Sequence, residues 1–310
     1  SADDVIYLTD FNTGVHQSTD DGVTWCHVFK AADDWQCMQV IKVSSDSNTN
    51  QRAQAVVFMF ESVARAYLRA FPDALETSKI HIIPNGFEGE VESFIHVPGD
   101  RCTILYAGTL SSYRYDTLIE GLVQFKAKDP KRAAQLRLRF VGEGFQGLTQ
   151  RVADLNLQDM FEITPSIPSD QVRRLQREAH ALLVLGRMPG RTAHELVAGA
   201  KLFGYLQAGR PIIGIVPRDE TRRILEQVGS PLIADADTPA EVVTLLERLF
   251  EAWSKKTLDR FVPNRAACEA YSSGRQIENL LIALNGTSLE KTSAMDTSTL
   301  PPRLRSEVVQ

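Results

Sequence analysis

The chain has 310 residues, a formal net charge of −5 and a pI near 5.8, and 43% of its residues are hydrophobic while 24% are charged. This composition is ordinary for a soluble globular protein, and the length allows two domains. The acidic balance argues against a nucleic-acid partner, which would require a basic face. No apolar run reaches the roughly 18 residues of a transmembrane helix, and the start of the chain lacks a basic region, so we expect a cytoplasmic protein.

Short β-type runs separated by Asp, Asn, Gly and Ser clusters fill residues 1–50, a pattern typical of an antiparallel meander. The predicted strands are 5–8, 14–16, 25–29 and 39–43. Between the second and third strands, the string STDDGVTW from Ser18 to Trp25 resembles the Asp-box of sialidase-like β-propeller blades. In that box Asp and Gly form the turn and Trp packs beneath it, so it is a folding device. Chance similarity is the alternative, because few positions are fixed.

From Gln51 onward, strands alternate with helices, which predicts a mostly parallel sheet with right-handed crossovers. A strand at 55–60, a helix at 61–71 and a strand at 79–84 come first. The later predicted strands are 103–107, 136–141, 161–164, 181–185, 211–216 and 231–234. The helices between and after them are 115–126, 148–155, 169–179, a helix from Lys201 that Gly209 ends, 221–228, 239–253 and 276–284. Ser169 is the predicted N-cap of the helix at 169–179, and Thr238 is the predicted N-cap of the helix at 239–253.

The string KLFGYLQAGRP from Lys201 to Pro211 is the most specific motif. It resembles the K-L-F-E-Y-L-A-A-G-R-P signature of GT-B type, retaining, nucleotide-sugar glycosyltransferases of group 1. One position differs, since Gly204 stands where the family has Glu. The string YAGTL from Tyr106 to Leu110 and the run PNG at 84–86, which matches the crossover between the two family domains, extend the resemblance over residues 53–284.

The resemblance implies an α/β fold in which a Rossmann-like parallel sheet, the C-terminal half of a GT-B enzyme, follows a short antiparallel β segment. It divides the chain into four expected regions: a β segment with the Asp-box at 1–50, a remnant βα unit and interdomain crossover at 51–96, the donor-binding domain at 97–285, and a disordered tail at 286–310. The tail is rich in Ser and Thr and has little apolar surface to bury. Most of the first domain of the family is then absent from this sequence.

The family's donor site maps onto loops that follow predicted strands. Gly108 comes directly after a strand, so its backbone can approach a diphosphate closely, and Gly142 begins a V-G-x-G turn. Arg114 and Lys201 correspond approximately to the basic residues that neutralise the leaving diphosphate. The complete expected set for the donor is Gly108, Thr109, Arg114, Gly142, Lys201, Leu202 and Gly204. Each has a plain alternative, namely tight strand-to-helix turns for the glycines and solvated side chains for the two cations.

Two departures weaken the match. Thr109 occupies the position of a common family Arg, and Gly204 removes a carboxylate that would bind the donor ribose, which corresponds to about 1.5 to 3 kcal/mol. The family has a pair of glutamates at a fixed spacing. Counted from Glu195, the second position of that pair is Phe203, so the pair is not complete in this sequence. No catalytic residue can be assigned from these patterns.

Metal ions and cofactors are not expected. The histidines show no metal or triad spacing, and Cys26, Cys37, Cys102 and Cys268 form no C-x-x-C pair, so reduced and mostly buried thiols are expected.

Two functions therefore stay open. The first is transfer of a sugar from a nucleotide diphosphate donor, with retention, to an unknown acceptor. The second is a non-catalytic nucleotide-binding or protein-interaction module derived from a glycosyltransferase. Two further partners are also open: a membrane reached through the acceptor, and a separate chain that supplies the missing domain.

Overall fold

The computed structural model describes residues 4–10, 14–18, 26–29, 38–40, 43–44, 56–70, 77, 80–188 and 197–285, with the first five segments described by their backbone alone. Three features of the sequence lie outside the described residues: positions 19–25 of the Asp-box motif, Glu195, and the predicted tail at 286–310.

Five short strands come first: β1 (Asp4–Asp10), β2 (Gly14–Ser18), β3 (Cys26–Phe29), β4 (Met38–Val40) and β5 (Val43–Ser44). Four of them form an antiparallel sheet in the order β3-β2-β1-β5. The antiparallel β segment predicted for this region is therefore confirmed. The predicted strand at 39–43 is two strands, since β4 pairs in a different sheet from β5.

A second small sheet contains β4, β6 (Val56–Phe58) and β7 (Ile80–Ile82), with helix α1 (Glu61–Ala70) between β6 and β7. β4 pairs antiparallel with β6, and β6 pairs parallel with β7. Among the described residues of this unit, Val56, Phe58 and Ala64 are buried together.

The main unit begins at Cys102 and alternates strands with helices. Its elements are β8 (Cys102–Ala107), α2 (Asp116–Lys128), α3 (Pro130–Ala134), β9 (Leu136–Val141), α4 (Gln146–Asp154), β10 (Phe161–Thr164), α5 (Ser169–Glu178), β11 (Ala181–Leu185), α6 (Lys201–Gln207), β12 (Ile212–Val216), α7 (Glu220–Gln227), β13 (Leu232–Asp235), α8 (Pro239–Ser254), α9 (Arg265–Glu269) and α10 (Ser273–Asn285). The six strands are all parallel, in the order β10-β9-β8-β11-β12-β13. The predicted Rossmann-like parallel sheet is confirmed.

Helices cover both faces of this sheet, as the apolar strands require. On one face, side chains of α2, α4 and α8 pack against β8, β9 and β13 around Leu118, Leu148 and Leu246. On the other face, α6, α7 and α9 pack around Leu202, Ile224 and Cys268. Cys102 and Cys268 are buried and form no disulfide, in agreement with the prediction of reduced thiols for these two residues.

The order of the strands places a switch point between β8 and β11. From β8 the chain runs outward through β9 to β10, and it then returns to the other side of β8 and runs through β11 to β13. The connections that leave β8 and β11 therefore continue toward opposite sides of the sheet from its carboxyl edge. In open α/β sheets, this divergence forms the crevice in which ligands bind.

Candidate donor site at the switch point

Two glycines shape the carboxyl edge where β8 and β9 end. Gly108 and Gly142 have φ angles of 128° and 142°, a region that residues with side chains rarely adopt. A Cβ on Gly142 would lie 2.3 Å from the Gly108 carbonyl oxygen, so the two backbones are in direct contact. The Gly108 N–H donates to Val141 O at 2.8 Å, and Leu110 N–H donates to Glu143 O at 2.9 Å. The edge is a close-packed shelf of backbone at which Gly108 and Gly142 themselves present no side chain to a ligand.

Lys201, the first residue of α6, lies over this shelf. Its Nζ is 3.9 Å from the ring centroid of Tyr106 and 4.1 Å from that of Tyr113. The ammonium donates to the Tyr106 hydroxyl and, at 3.4 Å, to Thr109 O. A Cβ added to Gly108 would come within 3.3 Å of the same nitrogen. Lys201 is therefore held by aromatic faces and neutral oxygens.

The environment of Lys201 disfavours its charged form. Burial, and to a lesser extent the positive charge of Arg187, lower its pKa from 10.5 to about 7. Within the part of the chain that the structure describes, Lys201 forms no ion pair with a carboxylate. An anion bound beside it would reverse this balance and restore the charge.

Buried tyrosines hold the loop after β8 in place. The Tyr106 hydroxyl donates to Thr109 O at 2.8 Å, and its ring stacks on Phe140 with centroids 5.1 Å apart. From α6, the Tyr205 hydroxyl accepts the Ala107 N–H at 2.8 Å. Burial raises the pKa of both tyrosines, so both hydroxyls stay protonated. The carboxyl end of β8 and the helix that carries Lys201 are thus fixed to each other.

Arg187 is a basic residue at this edge that the sequence reasoning missed. It directly follows Gly186 at the end of β11, and its backbone pairs antiparallel with that of Tyr113 in the loop after β8. Its guanidinium carbon lies 5.7 Å from the Tyr113 ring centroid. The signal available in the sequence was its position one residue past a buried strand and a glycine.

The other predicted donor residues lie in different surroundings. Arg114 forms an ion pair with Asp237, which follows β13, and this bond lowers the pKa of the aspartate. Leu202 is fully buried in the core, whereas Thr109 is exposed in the loop after β8. Gly204 is partly exposed on α6, and a Cβ there would meet no atom within 4 Å.

Comparison with known proteins gives a consistent fold. No protein-family model matches the sequence, and no curated protein sequence matches it. Among solved structures, TarM from S. aureus in complex with fondaparinux, alpha-GlcNAc-glycerol and UDP superposes with a TM-score of 0.53 and 16% identity over 75% of this chain and 44% of its own. The pneumococcal O-GlcNAc transferase GtfA, in complex with UDP and GlcNAc, gives 0.52 and 12% over 74% and 44%. The lipopolysaccharide outer core galactosyltransferase WaaB gives 0.54 and 15% over 75% and 62%.

The parallel-sheet unit has the fold of one Rossmann-like half of a GT-B protein. The chain spans between 44% and 62% of the length of these three neighbours.

At the next strand ends of the GT-B unit, Ser166 after β10 donates its hydroxyl proton to the Glu143 carboxylate at 3.1 Å. Gly142 N–H donates to Thr164 O at 3.1 Å, which ties the ends of β9 and β10 together. The carboxyl edge is therefore polar beside the glycine shelf, with the cations on the β8–β11 side and a carboxylate on the β9–β10 side.

Two further properties concern the described residues only. No group of three or more His, Cys, Asp or Glu side chains there is arranged to hold a metal ion. None of the described helices has the length and apolar character needed to cross a membrane.

Proposed function

We propose that this chain binds a nucleoside diphosphate sugar at the switch point and transfers the sugar with retention. The observation that carries the proposal is Lys201, a cation without a carboxylate partner among the described residues, placed against Gly108 at the carboxyl edge between β8 and β11. A diphosphate is the anion best suited to this place, since the glycine backbone allows close approach and a lysine supplies a point charge.

The neighbours support a nucleotide ligand. The TarM and GtfA structures of the same fold were both determined with UDP. Retention is proposed from the resemblance of the string from Lys201 to Pro211 to the retaining group 1 enzymes. The donor set of the sequence analysis remains part of the proposal, with Lys201, Gly108, Thr109 and Gly142 grouped at the edge, and Arg114, Leu202 and Gly204 on adjoining segments.

The proposed chemistry is mainly electrostatic. Departure of the nucleoside diphosphate develops negative charge on the β-phosphate oxygens, and a preorganised ammonium held on aromatic rings stabilises that charge without rearranging. Fixing the loop after β8 to α6 through Tyr205 and Ala107 keeps this geometry constant during the reaction. No described residue is assigned as a catalytic acid or base.

The remaining assignments follow the same resemblance. The four regions 1–50, 51–96, 97–285 and 286–310 are proposed as the domain division, with an Asp-box at 18–25 proposed from its sequence pattern alone. An acceptor of unknown type, reached in solution or at a membrane surface, a partner chain that completes the acceptor side, and a cytoplasmic location complete the proposal.

A second function has one observation in its favour. Gly204 leaves open space where a ribose-binding carboxylate would stand, which favours a non-catalytic module that binds a nucleotide or a protein partner. Such a module would bind the nucleoside diphosphate but would neither transfer nor hydrolyse the sugar.

A thermal-shift screen of the purified chain with UDP, GDP, ADP and dTDP tests the proposal. Ligand at one hundred times its dissociation constant stabilises the folded state by about 2.7 kcal/mol, which is readily measured. Binding of one diphosphate together with slow hydrolysis of its sugar conjugate would support the enzyme, and binding without turnover would support the module. Absence of any shift with all four nucleotides would contradict the enzyme and the nucleotide-binding module, and would leave the protein-interaction module.

A further inference from the structure

Arg187 and Lys201 approach the same aromatic ring from two different elements. The Arg187 guanidinium carbon is 5.7 Å from the Tyr113 centroid and the Lys201 Nζ is 4.1 Å from it. Tyr113 belongs to the loop after β8, Arg187 follows β11 and Lys201 begins α6. Three segments that diverge at the switch point are thus joined by one tyrosine.

The backbone around Arg187 is fixed rather than loose. The Gly186 N–H donates to Ile215 O at 2.8 Å, and the Gly186 carbonyl accepts the Arg114 N–H at 2.8 Å. One residue later, Met188 N–H donates to Ser112 O at 3.0 Å. Bonds on both sides of Arg187 therefore hold its Cα at the wall of the crevice.

The side chain of Arg187 has few polar contacts with the described residues. Its Nε is buried and has no hydrogen-bond partner among them. Among the described residues it forms no ion pair, whereas Arg114 is paired with Asp237. The positive charge of Arg187 also acts on Lys201. Two positive charges beside one ring repel each other, and an anion between them would offset this repulsion.

We infer that Arg187, together with Lys201, binds the leaving diphosphate and takes the role that sequence comparison gives to Arg114. The inference rests on the proposed nucleotide site and adds a specific residue to it. Guanidinium groups form two parallel hydrogen bonds to phosphate oxygens, so Arg187 orients the group while Lys201 supplies a point charge.

The test compares Arg187→Gln with Arg114→Gln and with Arg218→Gln, an exposed arginine in the loop after β12 that controls for the loss of one positive charge. Affinity is measured by titration calorimetry with inorganic pyrophosphate and with whichever of UDP, GDP, ADP and dTDP binds the wild type. We expect Arg187→Gln to weaken both ligands by ten- to a hundredfold and Arg187→Lys to recover part of the loss. Arg218→Gln should change affinity by less than about twofold.

Two further readouts separate binding from folding. In the ligand-free Arg187→Gln protein, the side-chain NMR titration of Lys201 should move to higher pH, because a neighbouring positive charge has been removed. In the wild type, pyrophosphate should protect Arg187 from phenylglyoxal while Arg218 stays labelled, a measurement that requires no variant to fold.

The outcomes distinguish this inference from the proposed function. A wild type that binds no nucleoside diphosphate contradicts the nucleotide site itself. A wild type that binds normally, with Arg187→Gln equal to Arg218→Gln and with Arg187 unprotected, overturns the role of Arg187 and leaves the site standing. A loss confined to Arg114→Gln would return the role to Arg114.

Discussion

The ammonium group of Lys201 lies 3.9 Å from the centre of the Tyr106 ring and donates a hydrogen bond to the hydroxyl of the same residue. The Lys201 ammonium therefore contacts both the ring and the hydroxyl oxygen of Tyr106, and neither of these carries a negative charge. This arrangement fixes the position of Lys201 but leaves its charge without a counter-ion among the described residues. The protonation of Lys201 therefore gives the most direct test of anion binding at this site.

Replacing Lys201 with Met should weaken diphosphate binding and stabilise the free protein. The folded-state pKa of about 7 lies below the ordinary 10.5, so the unfolded chain binds more protons between these values, and stability rises with pH across that window. The variant should lose this slope and melt higher near pH 7, by about 2–4 °C for each kcal/mol gained. Calorimetric melting of the free protein from pH 6 to 10 measures the change in Tm and the loss of its pH dependence, and calorimetric titration with pyrophosphate measures the loss of binding. Lys131→Met, on an exposed residue of α3, is the control and should show neither.

Nucleoside diphosphate affinity should depend on pH through Lys201. Below pH 7 the free protein already carries the charge, so affinity is at its maximum with respect to this group. Above pH 7 binding must take up a proton, and affinity falls by up to about tenfold per pH unit until the pKa of the complex is reached. Calorimetry at pH 8 in two buffers of different ionisation enthalpy should show uptake of close to one proton. Equal binding enthalpies in the two buffers would exclude Lys201 as the titrating group.

Gly204→Glu should restore a carboxylate on α6 one turn after Lys201. No atom of the described residues lies within 4 Å of an added Cβ, so the first atom of the new side chain meets no neighbour. A hydrogen bond to a donor hydroxyl corresponds to about 1.5 to 3 kcal/mol and should tighten a nucleotide sugar by ten- to a hundredfold. Gly204→Ala is the matched control, because it firms the helix by about 0.5–1 kcal/mol without adding a carboxylate. If both variants raise Tm and neither tightens the donor, the non-catalytic module is favoured.

Gly142→Ala should destabilise the sheet edge strongly. The new Cβ would fall 2.3 Å from Gly108 O, and the φ of 142° is unfavourable for alanine, so we expect a loss of about 3 kcal/mol or more. Gly229→Ala isolates the backbone effect, since its φ is 74° and its Cβ would meet nothing within 4 Å. That variant should lose only about 1 kcal/mol. Denaturant unfolding of the two variants measures the loss of unfolding free energy in each. Similar losses would show that the ends of β8 and β9 move apart to accommodate the new Cβ.

The strands of the main sheet could be predicted because they are short apolar runs bounded by polar turns. Strands β9, β10 and β11 have the predicted bounds, and the parallel sheet followed from the alternation with helices. Helices α3 and α9 were missed, since five residues cover little more than one turn and show no periodic face. Ser169 is the first residue of α5 and not its N-cap, which is Pro168 without a side-chain bond. Thr238 is the N-cap residue of α8 as predicted, although its side chain makes no capping bond.

Arg187 could not be assigned from the sequence because its neighbours depend on strand order. Nothing in the linear pattern states that β11 returns to lie beside β8, and only that adjacency brings the residue after Gly186 against the loop that holds Tyr113. Likewise, Arg114 matched a family position in the sequence, while its pairing with Asp237 depends on where the end of β13 lies.

The pairing of β4 with β6 has a practical consequence for any shortened form of this protein. Strand β4 comes from residues 38–40, on the N-terminal side of the composition change at Gln51, yet it supplies the backbone partners of Val56, Val57 and Phe58. A truncation at residue 50, where the sequence suggests a natural cut, would strip β6 of this neighbour and expose a row of unsatisfied amides and carbonyls. Unprotected edges of this kind recruit strands from other molecules. The N-terminal segment therefore covers one edge of the small sheet, and we expect a chain that begins after residue 50 to self-associate more readily than the full chain.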